Sequence, residues 1–433
     1  MLFASVANYD HLDTLPDGVD GIEFRLDLNS PPPPSVELPR LFTVRRESFG
    51  GTEKEREVFI RHLFTLKPDY FDLESDMDPI FLDWAFSQSI NIILSYHNFD
   101  QTPQNLDSIL KPMLNYPASI YKIATQANTT SDALRLLLFA KKHPKVSGIP
   151  MGERGSFGRV VGKIFGNPIQ FGYLNELTAP GQLSIDELLK TYQFSSLNSQ
   201  TAIFGLIGNP VVNSQGHIFH NQAFTNARLN AVYVKMQVEA SELEVFFHLA
   251  KKLGFKGLSV TMPLKEIISP AIGPVNTVLL ADPDTYFNFD GTAALDAIGS
   301  VNNKKMIIIG AGGTAASIAE EAIKRGANVS LLNRSLKRAE NLANKLGCKW
   351  ISEMADYDIL INCTPSTAPI DAKSIIPESI VMDCVYIPPM TEFLQMAEKR
   401  GAVVISGEQM FLNQASMQAD LWRRTLISDT IKP

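Results

Sequence analysis

The sequence predicts an α/β protein: an N-terminal (β/α)8 barrel of the TIM type, then an open α/β domain, then a Rossmann-type nucleotide-binding domain. Three observations carry this reading. Eight short apolar, β-branched runs alternate with helical patterns over roughly 190 residues, near the small end of the barrel's size range. A polar, low-propensity stretch, Gln193 to Gln200, separates them from a second patterned region. Farther on, the apolar run Met306–Ile309 leads directly into Gly310-Ala-Gly-Gly-Thr-Ala315 and a helical pattern through Lys324.

In chain order the eight runs are Leu2–Ala7, Gly21–Leu28, Leu41–Arg45, Tyr70–Glu74, Asn91–His97, Ser119–Thr125, Lys145–Met151 and Pro168–Leu174. Helical patterns lie between most of them, at Glu53–Leu66, Asp78–Ser87, Leu106–Leu114, Asp132–Lys142 and Arg159–Phe165, and Ser184–Tyr192 follows the eighth. The second connection departs from the pattern. Its Ser30-Pro-Pro-Pro-Pro-Ser35 run cannot form a helix interior, because proline lacks the N–H and its ring clashes with the preceding turn.

A barrel of this kind places its chemistry at the C-terminal ends of its strands. Those ends carry Glu23, Arg25 and Asp27, then Arg45, Glu74, His97, Lys122 and Met151. Lys122 stands in an otherwise apolar strand, where desolvation and neighbouring cations lower an amine's pKa and free it to attack a ketone as a Schiff-base nucleophile. His97 is the matching acid/base, and Arg25, Arg45 and Arg159 offer forks for a carboxylate. Singly, such residues are more often solvated rim groups or salt-bridge partners; convergence from six strands favours a site.

The second half opens with the strand Ala202–Ile207, a Gly208-Asn-Pro-Val-Val-Asn-Ser214-Gln-Gly216 connection and a helix from Ile218. Strand Ala231–Met236, helix Ser241–Leu253 and strand Lys256–Val260 complete an open α/β domain of about 90 residues. Lys265 and Asp290 each follow a short strand, and together they suit the proton shuttle that accompanies hydride transfer to a ketone. The bland alternative is a surface lysine and a turn aspartate.

Next comes the glycine corner, Gly310, Ala311, Gly312, Gly313, Thr314 and Ala315, where a tight turn lets a pyrophosphate approach backbone N–H groups at a helix N-terminus. The following strand, Asn328–Leu332, ends in Asn333, Arg334 and Ser335, with Lys337 and Arg338 beyond, where an NAD site ordinarily carries a carboxylate. Cations there suit a 2′-phosphate, so the expected cofactor is NADP. The alternative is a glycine-cornered βαβ unit with an ordinary basic helix start.

Composition sets outer bounds. At 433 residues the chain fits two or three domains, and 45% hydrophobic with 20% charged residues describes a globular protein. A net charge of −7 gives no support to nucleic-acid binding. No run of about 18 apolar residues suggests a membrane span, and the apolar part of the N-terminus is too short for a signal peptide. Cys348, Cys363 and Cys384 have no metal-ligand spacing, so no metal site is expected and the setting reads as a reducing cytoplasm. An oligomer is compatible with the sequence, which does not specify one.

With these residues in place, positions 1–193 resemble the type I 3-dehydroquinate dehydratases. The matching pieces are Glu23-Phe-Arg25-Leu-Asp27, Phe42-Thr-Val-Arg45 with Gly50-Gly51, Asp72-Leu-Glu74, Ser95-Tyr-His97, Lys122-Ile-Ala124, Met151 with Arg159, and Thr178-Ala-Pro-Gly-Gln182. The resemblance implies that Lys122 forms the Schiff base, that His97 is the acid/base, and that Ser5, Glu23, Arg25, Arg45, Arg159, Thr178 and Gln182 bind 3-dehydroquinate. One position departs: the family commonly carries a glutamate just before the Gly-Gly pair, and here Phe49 stands there, with Glu47 two residues earlier.

Residues 202–425 are similar to shikimate dehydrogenases, through Gly208-Asn-Pro210, Val260-Thr261 with Lys265-Glu266, Val275-Asn-Thr277, Asn288-Phe-Asp290-Gly291, the glycine corner and Ile361-Asn-Cys-Thr364. This resemblance gives Lys265 and Asp290 the catalytic roles and has Ser214, Thr261, Asn276, Tyr386 and Gln414 contact shikimate. Cys384 and Gly407 would lie near the nicotinamide, and the helical stretch Glu408–Leu421 would return to the substrate domain. Gly216 replaces a common second serine, a loss of about 1 kcal/mol of hydrogen bonding that also makes room for quinate. Ser259 stands where asparagine is frequent.

Joined in this order, the halves resemble the bifunctional dehydratase–dehydrogenases, with 3-dehydroquinate, 3-dehydroshikimate and shikimate as small-molecule partners. The expected divisions are 1–195 for the dehydratase barrel, 200–298 for the substrate domain, 299–405 for the NADP domain and 406–433 for the returning helix. Two other readings stay open at this point: a second domain acting chiefly on quinate, and a barrel that only binds, for which Phe49 is the motive.

Overall fold

The computed structural model describes the chain except residues 11, 13–14, 29–32 and 432–433. The expectation for the proline run therefore falls largely outside the described residues; residues 33–36 carry neither helix nor strand. The chain forms two compact units, Met1–Phe204 with Asn230–Phe255, and Gly205–Leu229 with Lys256–Pro433.

The first unit is built on eight strands: β1 (Leu2–Val6), β2 (Gly21–Arg25), β3 (Arg40–Thr43), β4 (Tyr70–Glu74), β5 (Asn91–Asn98), β6 (Ile120–Gln126), β7 (Val146–Met151) and β8 (Gln170–Tyr173). They pair in parallel in the order β7-β6-β5-β4-β3-β2-β1-β8, the succession expected of a (β/α)8 barrel. At the seam between β7 and β8, Ser147 Oγ donates to Ile169 O (3.2 Å) and accepts from Ile169 N (3.1 Å).

Five helices lie on the outside: α1 (Glu53–Phe64), α2 (Pro79–Phe86), α3 (Asp107–Met113), α4 (Thr130–Lys141) and α5 (Gly158–Ile164). Local chemistry fixes where they start. Thr52 with Glu55 and Thr129 with Asp132 form capping boxes, and Asp78 caps a helix whose first residue is Pro79. The pattern over Ser184–Tyr192 gives a π-helical turn at Glu187–Thr191 instead of a regular helix. The polar stretch after it is anchored. Phe194 and Leu197 are buried, and Lys163 Nζ donates to the carbonyls of Phe194 (2.8 Å) and Ser195 (3.0 Å).

Strand alternation sorts the barrel's side chains into two sets. Phe24, Phe42, Phe71, Leu94 and Ile123 point outward into a core shared with the helices. Phe3, Leu41, Ile93, Ile120, Ile149 and Phe171 point inward and fill the N-terminal end with an apolar floor. The next inward positions on the same strands lie one pleat nearer the C-terminal ends, and they are polar (Ser5, Thr43, Ser95, Lys122 and Tyr173) except for Met151 on β7.

Beyond the barrel come β9 (Ala202–Gly208), α6 (Gly216–Asn226), β10 (Ala231–Gln237) and α7 (Leu243–Leu253). The last two belong to the first unit, where α7 packs on α4. Glu242 Oε2 accepts from Ser131 N and Oγ (2.9 Å each) at the start of α4, and Arg154 Nη2 donates to Glu239 Oε1 (2.7 Å).

In the second unit β11 (Phe255–Val260), β12 (Thr277–Leu279) and β13 (Thr285–Phe287) form an antiparallel ladder, followed by α8 (Asp290–Ile298). A six-stranded parallel sheet follows, with β14 (Lys305–Ile309), β15 (Asn328–Leu332), β16 (Lys349–Ile351), β17 (Ile359–Asn362), β18 (Ile380–Asp383) and β19 (Val403–Ile405). Its order, β16-β15-β14-β17-β18-β19, reverses beside β14, which opens a crevice at the carboxyl ends of β14 and β17. Flanking helices are α9 (Gly313–Lys324), α10 (Leu336–Leu346) and α11 (Glu392–Lys399); α12 (Gly407–Ile431) runs back along α8 and α6.

Candidate active sites

In the barrel, the polar inward layer forms a charge cage of two hydrogen-bonded groups. Ser5 Oγ on β1 donates to the Glu23 carboxylate on β2, whose Oε1 also accepts from Thr43 Oγ1 on β3 (2.8 Å). Asp72 on β4 is the hub. It accepts from Ser95 Oγ on β5 (2.5 Å), from both outer nitrogens of Arg45 just past β3, and from Lys122 Nζ on β6. Lys122 is 5% exposed and Asp72 is 2% exposed, so these charges work with little solvent screening.

The electrostatics suit a nucleophilic amine. Burial pushes the Lys122 amine below the ordinary lysine range and the Arg45 cation pushes it the same way, with Asp72 opposing but not cancelling them. His97 lies on β5, two residues beyond the position paired with Lys122. Burial and the cations Arg45 and Lys122 hold it well below its ordinary value, so it is a neutral base near pH 7. Burial alone would raise the Asp72 carboxyl, yet Arg45 and Lys122 hold it far below the usual carboxylate range.

The four other residues predicted to bind substrate here divide by what already occupies them. Arg25 has its fork on Asp27 (3.0 and 2.7 Å), and its remaining nitrogen donates to Thr178 O (2.6 Å), so it clamps the 178–182 loop. Gln182 Oε1 accepts from Thr178 N (3.0 Å) and Oγ1 (2.8 Å), and its Nε2 donates to Ser5 Oγ (3.4 Å), tying that loop to the cage. Arg159 differs. It is 2% exposed, its Nε has no hydrogen-bond partner among the described residues, and burial lowers it to about 10 against the pull of Glu23. A buried guanidinium of this kind is suited to an incoming anion.

Phe49, where the resemblance leads one to look for glutamate, stacks on Phe59 (5.8 Å, 23°). Glu47 is exposed. Glu74 is raised by burial and by Glu47, against the cations Arg45 and Arg56. Arg56, 1% exposed, donates to Glu74 Oε2 (2.6 Å) and Val44 O (2.9 Å), bracing the strand end that carries Arg45. The sequence reading missed Asp72 and Ser95 as site residues. Their signal was available: each sits two positions before a named strand-end residue, on the same inward face.

In the second unit Lys265 lies in a 3-10 turn just after β11, and Asp290 begins α8. The structure brings them together. Lys265 Nζ donates to Asp290 Oδ2 (2.5 Å) and to Thr314 Oγ1 (3.2 Å), and Asn276 Nδ2 donates to Asp290 Oδ1 (2.8 Å). Asn276 is itself oriented, since its Oδ1 accepts from Phe289 N (3.0 Å) and Thr277 Oγ1 (2.8 Å). Gln418 on α12, 2% exposed, donates to Thr277 Oγ1 (2.8 Å) and accepts from Ser259 Oγ (2.9 Å). The sequence reading missed Gln418 entirely, because a residue 142 positions from Asn276 leaves no local signal.

The other predicted shikimate contacts are less tightly drawn in. Ser214 Oγ accepts from Gly216 N (3.2 Å), Tyr386 stacks on Phe411 of α12 (5.1 Å, 11°), and Gln414 and Thr261 are half-buried. Among the described residues none of these four hydrogen-bonds the Lys265–Asp290 pair.

The glycine corner fits a dinucleotide. Gly310 has φ +124°, a region side chains avoid, and a Cβ there would lie 3.3 Å from Cys363. A Cβ on Gly313 would lie 3.2 Å from Lys265 Cβ, so the corner abuts the turn that carries Lys265. Ala315 is buried in α9, and Gly407 lets α12 start against the carbonyls of Asp383 and Val385, 2.7 Å from where a Cβ would be. At the end of β15, Asn333 Nδ2 donates to Ser335 O (3.0 Å), while Arg334 and Arg338 are exposed and, among the described residues, form no ion pair. Among the same residues no cluster of side chains could hold a metal ion, and no helix is long and apolar enough to cross a membrane.

Comparison with known proteins joins the two sites. Residues 7–199 match the family model for type I 3-dehydroquinase, residues 206–278 that for the shikimate dehydrogenase substrate binding domain, and residues 292–383 that for shikimate / quinate 5-dehydrogenase. The chain is 31% identical over 471 residues to the chloroplastic bifunctional 3-dehydroquinate dehydratase/shikimate dehydrogenase of Arabidopsis thaliana, covering 94% of this chain and 78% of the relative. It is 33% identical to the shikimate biosynthesis protein AroDE of Chlamydia pneumoniae, covering 93% and 90%. Its C-terminal 52% is 32% identical to a shikimate dehydrogenase (NADP(+)) of Methanococcus aeolicus, covering 93% of that protein. The chain therefore belongs to the family of bifunctional 3-dehydroquinate dehydratase/shikimate dehydrogenases.

Proposed function

We infer that this chain performs two successive steps on one six-membered ring, dehydrating 3-dehydroquinate to 3-dehydroshikimate and then reducing that ketone to shikimate with NADPH. The observation that carries the first step is the buried Lys122 amine beside Asp72 and Arg45. Neutral Lys122 Nζ attacks the ketone carbon, and loss of water gives an iminium that withdraws electrons from the neighbouring carbon. His97 removes that carbon's proton and returns one to the departing hydroxyl, which leaves as water. Hydrolysis then frees Lys122 and the enone. Arg159 and Arg45 hold the carboxylate, Ser5, Glu23, Thr178 and Gln182 grip the ring hydroxyls, and Arg25 keeps the 178–182 loop in place.

In the second site Lys265 gives a proton to the ketone oxygen and regains one from water, and Asp290, held by Asn276, keeps the lysine amine in place. Ser214, Thr261, Tyr386 and Gln414 complete the contacts to the ring. NADPH, when bound, supplies the hydride. Gly310 through Ala315 would take its pyrophosphate, Asn333, Arg334, Ser335 and Arg338 its 2′-phosphate, and Cys384 and Gly407 its nicotinamide end.

The functional division follows residues 1–195, 200–298, 299–405 and 406–433, and the working compartment is a reducing cytoplasm, in keeping with three unpaired thiols. Gly216 favours a second, slower activity on quinate, since the hydroxyl of a serine is missing beside Ser214. A two-stage assay tests the reading. Dehydroquinate alone should give a rising enone absorbance, and NADPH added afterwards should be consumed; no enone before NADPH would refute the barrel's role. Reduction of 3-dehydroquinate faster than of 3-dehydroshikimate would make quinate the main product.

A further inference from the structure

The crevice beside β14 holds a pair of thiols that no step of the reaction uses as a reacting group. Cys363 follows the last residue of β17 and Cys384 the last residue of β18, and Asn362 and Asp383 before them are partners in the parallel ladder. Their Sγ atoms are 3.6 Å apart, against about 2.05 Å in a disulfide. Neighbouring positions of one ladder also meet the backbone spacing that a disulfide requires. Both side chains are only half-buried. A Cβ on Gly310 would lie 3.3 Å from Cys363, so this cysteine borders the glycine corner, and the Asp290 carboxylate of the catalytic pair acts on its thiol.

We propose that Cys363 and Cys384 form an oxidant-sensitive dithiol that, when closed to a disulfide, shuts off the reduction step while leaving the dehydration step running. The proposal rests on the reading of this crevice as the nicotinamide end of the cofactor site. The oxidant class is a hydroperoxide. Cys384 Sγ attacks one peroxide oxygen, forming a sulfenic acid and releasing the other oxygen as water in the case of hydrogen peroxide. Cys363 Sγ then attacks the sulfenic sulfur, gives up its proton, and a second water leaves. Two thiols lose two electrons, the peroxide gains them, and one S–S bond forms. The order follows from Cys363 holding its proton, which its hydrogen bond to Cys384, burial and the neighbouring carboxylates all favour.

Closing the bond draws the sulfurs together by about 1.5 Å, beside the Gly310 turn. It also changes the wall against which the nicotinamide end would lie. Selectivity follows from position: the chain's three cysteines all lie between residues 348 and 384, so the barrel offers an oxidant no thiol.

The test treats the reduced full-length chain with hydrogen peroxide, maps cross-linked peptides by mass spectrometry, and follows both activities before and after dithiothreitol. Expected are a Cys363–Cys384 peptide pair two mass units lighter, at least a fivefold loss of NADPH-linked reduction restored by dithiothreitol, and an unchanged dehydration rate. NADP present during oxidation should slow cross-linking. Cys363→Ser should keep its own pre-treatment reduction rate after peroxide. A mapped disulfide with undiminished reduction, or equal inhibition of Cys363→Ser, overturns the proposal and leaves the cofactor reading intact. A mapped disulfide that forms at the same rate with and without NADP removes the crevice assignment as well.

Discussion

Asp72 shows how a single carboxylate sets the barrel's chemistry. Its charge raises Lys122 and stabilises Arg45, so Asp72→Asn should lower the Lys122 amine further and move the acid limb of the dehydration pH profile to lower pH. The same change strands the buried Arg45 cation and should cost about 3–5 kcal/mol of stability in denaturant titration at pH 7. Because the folded pKa of Asp72 is depressed, its stabilisation is complete above the unfolded value near 3.9. The gap between the two proteins should therefore shrink only as the pH falls below that value. Gln418 makes the matching case in the second site. Its amide fixes the Thr277 hydroxyl, which fixes Asn276, which holds Asp290. Gln418→Leu should lower kcat for reduction about five- to thirtyfold, the equivalent of one buried hydrogen-bonded group left unsatisfied, with the KM for NADPH unchanged. An equal rise in that KM would show that Gln418 shapes the cofactor site instead. Lys122 and His97 stood out in the sequence because a strand end in a barrel is a privileged address. Asp72 carried only the weaker signal of an inward position two residues before Glu74, and its part as a hub shows only once Ser95, Arg45 and Lys122 surround it.

At the level of elements, most of the barrel follows from local chemistry: alternation on the strands, capping residues before α1, α2 and α4, and a glycine turn after β14. What the sequence could not reveal is which elements lie together across long separations. The segment carrying β10 and α7 belongs to the same compact unit as the barrel, through Glu242 at the start of α4 and Glu239 on Arg154. These are side-chain contacts across about a hundred residues, and no periodicity announces them. Glu242→Ala removes the acceptor for both Ser131 donors, and should lower stability by about 1–2 kcal/mol, read as a lower thermal midpoint for loss of dehydration activity. An unchanged midpoint would mean that α4 does not depend on this acceptor. The reversal of strand order beside β14 was equally invisible from sequence, although the glycine corner and the cations after β15 implied a crevice there.

For the whole molecule, two activities share one chain, and the proposed assignment gives each its own catalytic lysine. Lys122→Ala should abolish dehydration of dehydroquinate while reduction of supplied dehydroshikimate continues at the normal rate. Lys265→Ala should do the reverse, lowering reduction by at least a hundredfold with little change in NADPH affinity. Loss of both activities in either variant, with the fold intact by circular dichroism, would contradict separate sites. Borohydride trapping tests most directly whether Lys122 is a covalent nucleophile made reactive by its buried cage. With dehydroquinate present, reduction by borohydride should leave a stable substrate-derived mass on the peptide containing Lys122 and end dehydration. An unmodified Lys122 in a chain that is actively dehydrating its substrate would contradict the account.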